Sequence, residues 1–293
     1  MVKIAVTGST GLIGSRIIEL LKNDFEFVEL TWPKFDITQK ETIWDTLKNL
    51  NFDLLLHLAA YTNVDEAEEE PGKSSAFKIN VEGTKNIFAA VIKRKKKFIY
   101  VSTDFVFDGK NPPYFENSIP NPLSYYAQTK LEGEKYVQQQ AMIVRFSYPY
   151  RTYFKAKRDF FRVLKYWLEE KKGLGLVQDS LITPTFIDDI AFALKYLFLH
   201  YSPEIFHIVG GDALSPYEAG ILIAKQFKLD KSLIKATTYQ HYFGNKSKRP
   251  QFSEIKSKKN NFYRMKTFEE GLIEIKKQTM GGKRRKIDYE DGG

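Results

Sequence analysis

The chain has 293 residues, is 43% hydrophobic and carries a formal charge of +9 at pH 7, with no cysteine. That length and apolar content bury one large core or two modest ones, and the missing cysteines exclude disulfides, thiolate nucleophiles and cysteine-based zinc sites. No run approaches the ~18–20 consecutive apolar residues of a membrane span and no charged leader precedes the first strand, so a cytoplasmic protein is expected.

Val2-Lys3-Ile4-Ala5-Val6-Thr7 reads as a buried strand, and residues 12–21 as a helix with apolar positions at helical spacing. Between and into them run Gly8, Gly11 and Gly14, one residue wider than the G-x-G-x-x-G form. Residues without a Cβ let the chain turn sharply and bring the N–H groups of a helix start against a pyrophosphate. The alternation continues with a strand over 25–30, a helix over 40–50, a strand over 53–58 and a helix over 74–92. A strand over 97–102, a helix over 125–139 and a strand over 142–146 complete it. Such alternation predicts an α/β fold, a Rossmann-type doubly wound parallel sheet. After Pro149 the pattern loosens: a strand over 174–177, a helix over 188–200 and a strand over 204–209 precede a helical and irregular remainder. The expected organisation is a dinucleotide-binding domain over 1–149 and a smaller, interleaved substrate-binding region over 150–278. Within the latter, about 186–210 return to the sheet, and 279–293 form a disordered tail.

The positive charge concentrates in Lys93-Arg94-Lys95-Lys96-Lys97 and Lys283-Arg284-Arg285-Lys286. The first is read as a solvated helix end and the second as part of the tail, so neither a nucleic-acid nor a membrane partner is expected, while the charge suits phosphate-bearing ligands. The histidines 57, 200, 207 and 241 have no metal-ligand spacing, and Asp65-Glu66-Ala67-Glu68-Glu69-Glu70 reads as a solvated helix face, so no metal is expected. His57 is taken as a structural or cofactor-lining imidazole and His207 as a packed one.

Chemistry is carried by Tyr126 and Lys130, four apart and therefore one turn apart on one helical face. An ammonium beside a phenol favours the phenolate and draws its pKa toward the working range. The same lysine reaches ribose hydroxyls. Val101-Ser102-Thr103-Asp104 closes the fourth strand at its carboxyl end, where ligands sit in open parallel sheets, and a hydroxyl there can hold a carbonyl that Tyr126 protonates. At the end of strand two the position usually taken by an acid is Thr31, with Lys34 near, which favours NADPH over NADH.

Further motifs agree with these. Phe35-Asp36-Ile37-Thr38 follows strand two, and Ala59-Ala60-Tyr61-Thr62-Asn63-Val64-Asp65-Glu66-Ala67-Glu68 follows strand three. Ser102-Thr103-Asp104-Phe105-Val106-Phe107-Asp108-Gly109, Pro113-Tyr114-Phe115-Glu116 and Pro122-Leu123-Ser124-Tyr125-Tyr126-Ala127-Gln128-Thr129-Lys130 come next. On these the chain, over about residues 1–260, resembles the extended short-chain dehydrogenase/reductase superfamily and, within it, the dTDP-4-dehydrorhamnose reductases. The resemblance implies NADPH-dependent reduction of the 4-keto group of a 6-deoxy-sugar nucleotide in nucleotide-sugar biosynthesis. It implies a catalytic set of Thr103, Tyr126 and Lys130, with Asp104 and Tyr148 near the sugar nucleotide. Gly11, Leu12 and Ile13 would meet the coenzyme pyrophosphate, Asp36 and Ile37 the adenine, and Ala59, Ala60, Tyr61 and Thr62 the approach to the nicotinamide. The chain departs from the pattern at Ala127, in Ser147-Tyr148-Pro149-Tyr150-Arg151, which lacks an expected glycine, and in Ser253-Glu254-Ile255-Lys256. A dehydratase of the superfamily would carry glutamate where Phe105 stands. Another sugar-nucleotide epimerase or reductase stays open as an alternative. So does a non-catalytic NADP-binding regulatory subunit, since Phe107 to Tyr114 resembles a loop of the methionine adenosyltransferase β subunit. A monomer or homodimer is expected.

Overall fold

A computed structural model describes residues 1–244 and 248–290, with the side chains of 281–290 outside the description. The first half alternates β1 (Lys3–Thr7), α1 (Gly14–Leu21), β2 (Glu26–Leu30), α2 (Lys40–Asn49), β3 (Leu54–His57), α3 (Gly72–Phe77), α4 (Thr84–Lys93), β4 (Lys97–Thr103), α5 (Tyr125–Val137) and β5 (Met142–Phe146). Thereafter come β6 (Pro149–Tyr150), α6 (Phe160–Glu169), β7 (Leu174–Val177), β8 (Thr185–Phe186), α7 (Ile187–Leu199), β9 (Ile205–His207), α8 (Pro216–Phe227), β10 (Ile234–Thr237), α9 (Tyr239–Phe243) and α10 (Phe268–Glu290).

Six strands form one parallel sheet in the order β2-β1-β3-β4-β5-β9. Alternate residues of each strand go to opposite faces, and both faces are covered. Ile4, Val6, Leu54, Leu56, Ile99 and Val144 join α1 and α7 in one core. Ala5, Leu55, Phe98, Tyr100 and Ile143 join α2, α4 and α5 in another. Two-sided burial explains why the strands read as near-continuous apolar runs. A third core, around Tyr150, Phe161, Leu176, Leu214, Ile223 and Phe268, lies among α6, α8 and α10 and the two-stranded pairs β6-β8 and β7-β10.

β1 has β2 on one side and β3 on the other, so successive crossovers leave it in opposite directions and open a crevice at the strands' carboxyl ends. Gly8 turns the chain there at φ +68°, and a Cβ on it would stand 2.7 Å from the Ala59 nitrogen. Only glycine fits both constraints.

The helix expected over 74–92 is three pieces, α3, a π-helical stretch Lys78–Gly83 and α4. Asn80 in that stretch bonds the Tyr61 nitrogen (2.8 Å), the Tyr61 carbonyl (3.1 Å) and Thr129 (3.0 Å). Local spacing does not encode those partners, and π-turns of this kind are found at functional sites. β10, read as part of an irregular remainder, pairs in parallel with β7 from Ile234 against Leu174. α10 extends to Glu290 through most of the stretch expected as a tail; the Lys283-to-Lys286 side chains and residues 291–293 lie outside the described ones. Among the described residues no helix is long and apolar enough to cross a membrane.

Candidate active site

One cavity of about 1060 Å³ opens at the carboxyl ends of β1, β3 and β4. Its wall includes Gly8, Gly11, Leu12, Ile13 and Gly14, then Thr31, Asp36, Ile37, Ala59, Ala60 and Thr62, and finally Thr103, Asp104, Tyr126, Lys130 and Tyr148. The glycine turn suits a dinucleotide. α1 starts with no side-chain cap on its first turn, leaving N–H donors and the positive end of its dipole for an anion. The Ser102 hydroxyl on the same wall is buried and has no hydrogen-bond partner among the described residues. Asp36 is held by Thr38, whose nitrogen and hydroxyl both donate to Oδ1 at 2.8 Å.

Ser124 caps α5 by accepting from the Ala127 nitrogen, which fixes the first turn carrying Tyr126. Lys130 follows one turn later. Its Nζ donates to the Val101 carbonyl at 2.8 Å and lies 4.2 Å from the Tyr100 ring centroid. Burial pulls the amine down to about 7 against the opposing charge of Glu134. The Tyr126 phenol moves the other way: burial first, then the Asp104 carboxylate, push it above its ordinary value, with the Thr103 hydroxyl pulling back. The expectation that Lys130 draws the phenol toward the working range is therefore corrected for the protein alone. Both groups are desolvated, and desolvation favours the neutral form of each.

Thr103 donates to Asp104 at 3.0 Å and accepts from the Phe105 nitrogen at 3.2 Å. Asp104 is 2% exposed and also accepts from Ser147 (2.9 Å) and Ser253. Burial outweighs these three donors and raises its carboxyl to about 6. Ser253 was legible only as a loose motif match, and its partner lies 149 residues away. Tyr148 sits at φ +40°, a strained value for a bulky side chain. Its ring centroid is 6.0 Å from that of Phe105 and 5.9 Å from that of Phe160. With Phe105 edge-on to Tyr126 at 6.3 Å, these rings form an apolar wall beside the acid-base pair. Trp32, Phe154, Lys157, Arg158 and Arg249 also line the cavity and were not singled out by sequence.

Tyr61 alone of the expected residues is not on this wall. Its hydroxyl donates to Glu66 at 2.7 Å and its backbone is engaged by Asn80, which turns the ring away. The acids of the run, Asp65, Glu66, Glu68, Glu69 and Glu70, are exposed as expected, but they do not form a continuous helix face and two of them also tie neighbouring segments. Asp65 pairs with Arg249 at 2.9 Å, and Glu68 accepts from the Tyr125 nitrogen at 2.8 Å, with only a 3-10 turn over Glu66–Glu68. His57 is buried between Thr7 (2.7 Å) and Thr84 (3.1 Å), off the cavity wall, and burial lowers it to about 3. His207 is packed against Arg145 and the Lys256 carbonyl. In the first basic run Arg94 donates to the carbonyls of Leu47 and Leu50 at the end of α2. Among the described residues no three histidine, aspartate or glutamate side chains gather as a metal site.

The family model described as the RmlD substrate binding domain matches residues 2–280. A dTDP-4-dehydrorhamnose reductase of Aggregatibacter actinomycetemcomitans is 30% identical over 247 residues, 80% of this chain and 82% of that protein. The methionine adenosyltransferase 2 subunit beta of Rattus norvegicus is 28% identical over 276 residues, 86% of this chain and 80% of that protein. Among solved structures, dTDP-4-dehydrorhamnose reductase from Bacillus anthracis in complex with NADP gives a TM-score of 0.87 at 25% identity, covering 95% of this chain and 100% of that one.

Proposed function

The chain belongs to the RmlD substrate binding domain family, and from that membership we propose that it reduces the 4-keto group of a 6-deoxy-sugar nucleotide with NADPH. The observation that carries the reading is the meeting of Thr103, Tyr126 and Lys130 with the glycine turn on one cavity. Gly8, Gly11, Leu12, Ile13 and Gly14 hold the coenzyme diphosphate, Asp36 and Ile37 its adenine, and Ala59, Ala60 and Thr62 the approach to its nicotinamide. The nicotinamide, when bound, supplies the hydride.

Tyr126 is the proton donor to the C4 oxygen. Its burial keeps the proton on the phenol until an alkoxide develops to take it. Lys130 holds the ribose, and its charge supports the phenolate that proton transfer leaves. Thr103 polarises the carbonyl, with Asp104 and Tyr148 bordering the sugar. Phe105 offers no carboxylate, which argues against an elimination beside that carbon. Thr31, uncharged at the end of β2, accepts a 2′-phosphate that an acid would repel and so favours NADPH over NADH. A monomer or homodimer in the cytoplasm completes the reading.

Loss of NADPH absorbance with dTDP-4-keto-6-deoxy-L-mannose tests it, with NADH alongside. Turnover falling about a hundredfold to ten-thousandfold in Tyr126→Phe, with NADPH affinity retained, is expected. NADPH binding without turnover of any keto-sugar nucleotide overturns the reductase. It turns attention to the regulatory-subunit alternative, which the 28% identity to methionine adenosyltransferase 2 subunit beta keeps in view.

A further inference from the structure

The stretch Ser147-Tyr148-Pro149-Tyr150-Arg151, which lacks an expected glycine, ends in an arginine that the reduction does not use. Arg151 follows β6, is 8% exposed and does not line the cavity, so it meets the glycine turn from behind. Its Nη1 donates to the Leu12 carbonyl (3.2 Å) and to the Ser15 hydroxyl (2.9 Å), and that hydroxyl donates on to the Gly11 carbonyl (2.8 Å). Its Nη2 pairs with Glu19 at 3.1 Å, and its backbone nitrogen donates to Asp159, the cap of α6, at 3.3 Å. One guanidinium therefore holds two successive carbonyls of the turn, one directly and one through a serine.

The Leu12 carbonyl needs that partner. In a regular helix it would accept from the Arg16 nitrogen, which instead bonds the Ile13 carbonyl at 3.1 Å. In a trans peptide the C=O and N–H of one unit point in opposite directions. Fixing the Gly11 and Leu12 carbonyls toward Arg151 thus turns the Leu12 and Ile13 N–H groups away from it. Both residues line the cavity, and among the described residues neither N–H has a hydrogen-bond partner. Charge alone does not account for an arginine here. Glu19 bonds both Arg151 and Arg16, and Arg16 makes a bidentate pair with Asp188 at 2.6 and 2.7 Å. Two acids answer two arginines, so what Arg151 adds is direction.

We propose that Arg151 is a positioning residue for the coenzyme diphosphate, aiming the Leu12 and Ile13 N–H groups at it from behind the turn, a role that rests on the reading of this turn as the NADPH site. NADPH affinity is measured by fluorescence titration in wild type, Arg151→Ala and Ser15→Ala. In the same proteins the affinity for 2′-AMP, which carries adenine, ribose and the 2′-phosphate but no diphosphate, is measured by its competition with NADPH. Arg151→Ala is expected to weaken NADPH about 10- to 30-fold and to leave 2′-AMP within about twofold. Ser15→Ala removes the relay to Gly11 and leaves the Arg151–Glu19 pair in place. It is expected to weaken NADPH about threefold, again without moving 2′-AMP, and it decides the matter where Arg151→Ala does not fold. NADPH affinity that survives both substitutions overturns the positioning role and leaves the coenzyme reading standing. Equal losses for NADPH and 2′-AMP overturn it as well, since they give Arg151 to the packing of the two halves. A wild type that binds no NADPH overturns the coenzyme reading and the positioning role with it.

Discussion

Asp104→Asn removes a buried charge whose effect on stability runs against the usual direction for an acid. The carboxyl is 2% exposed and takes hydrogen bonds from Thr103 at 3.0 Å, from Ser147 at 2.9 Å and from Ser253. Three donors favour the carboxylate, yet burial prevails and lifts the group from 3.8 to about 6. The folded state therefore binds this proton more tightly than the unfolded chain does. The stability the group contributes is fully present below about pH 4 and is lost as pH rises through about 6. Over that window the loss comes to about 3 kcal/mol, from the rise of 3.8 to about 6. Asparagine has the same shape and no charge, and gives up part of the acceptor capacity toward three hydroxyls, about 1 kcal/mol per weakened bond. Urea unfolding of wild type and Asp104→Asn at pH 4 and at pH 7.5 isolates the effect, because every other titrating group is common to both. The variant is expected to gain about 2.4 kcal/mol relative to wild type between the two conditions, since at pH 4 the unfolded carboxyl is already more than half ionised. An offset that is the same at both pH values refutes the claim that the fold holds this carboxyl uncomfortably.

Lys130 is drawn down to about 7 by burial, so NADPH affinity is expected to fall as pH rises through 7 and the ammonium is lost; fluorescence titration across that range shows a slope in wild type and none in Lys130→Met. Glu134→Gln strips the bidentate partner, at 2.6 and 2.8 Å, from an Arg145 that is 1% exposed. It should destabilise by about 3–5 kcal/mol, while Glu134→Leu/Arg145→Leu recovers most of this in denaturant melts; equal loss in single and double variants contradicts the pairing. Gly8→Ala forces a Cβ to 2.7 Å from the Ala59 nitrogen and 2.8 Å from the Leu58 carbonyl carbon at φ +68°. A loss of about 2 kcal/mol or more, with weakened NADPH binding, is expected in melts and titrations.

The half of the chain that was legible is the half whose partners are periodic. Ile4 and Val6 face one helix layer and Ala5 the other, so strand, face and sheet class follow from spacing alone. The glycine turn and the Tyr126-Lys130 pair are likewise local, and motif resemblance placed Thr103, Asp104 and Tyr148 beside them. What escaped depends on contacts between distant segments. Asn80 breaks a good helical pattern because Tyr61 and Thr129 bond its amide. Tyr61 leaves the cavity because Glu66 takes its hydroxyl. Spacing put an ammonium one turn from a phenol, but desolvation, which no spacing encodes, moves both groups toward neutrality.

Those distant contacts also decide what kind of object the cavity is. Asp104, at the end of β4, is held by Ser253; Asp65, after β3, by Arg249; and the Leu12 carbonyl, in the glycine turn, by Arg151. In each case a group from the nucleotide-binding half is fixed by a side chain from the half that follows β5. The second half is thus part of the first half's site, and its closure bears on the same hydroxyl that meets the substrate. Ser253→Ala, which touches no ligand, is therefore expected to shift the pH profile of turnover by freeing one lone pair of Asp104, without moving NADPH affinity. Thr103 donates to that carboxylate at 3.0 Å, so a change in the carboxyl's proton affinity changes how readily Thr103 turns its own proton to a carbonyl. A Ser253→Ala profile that overlays wild type would show that the tie is packing alone.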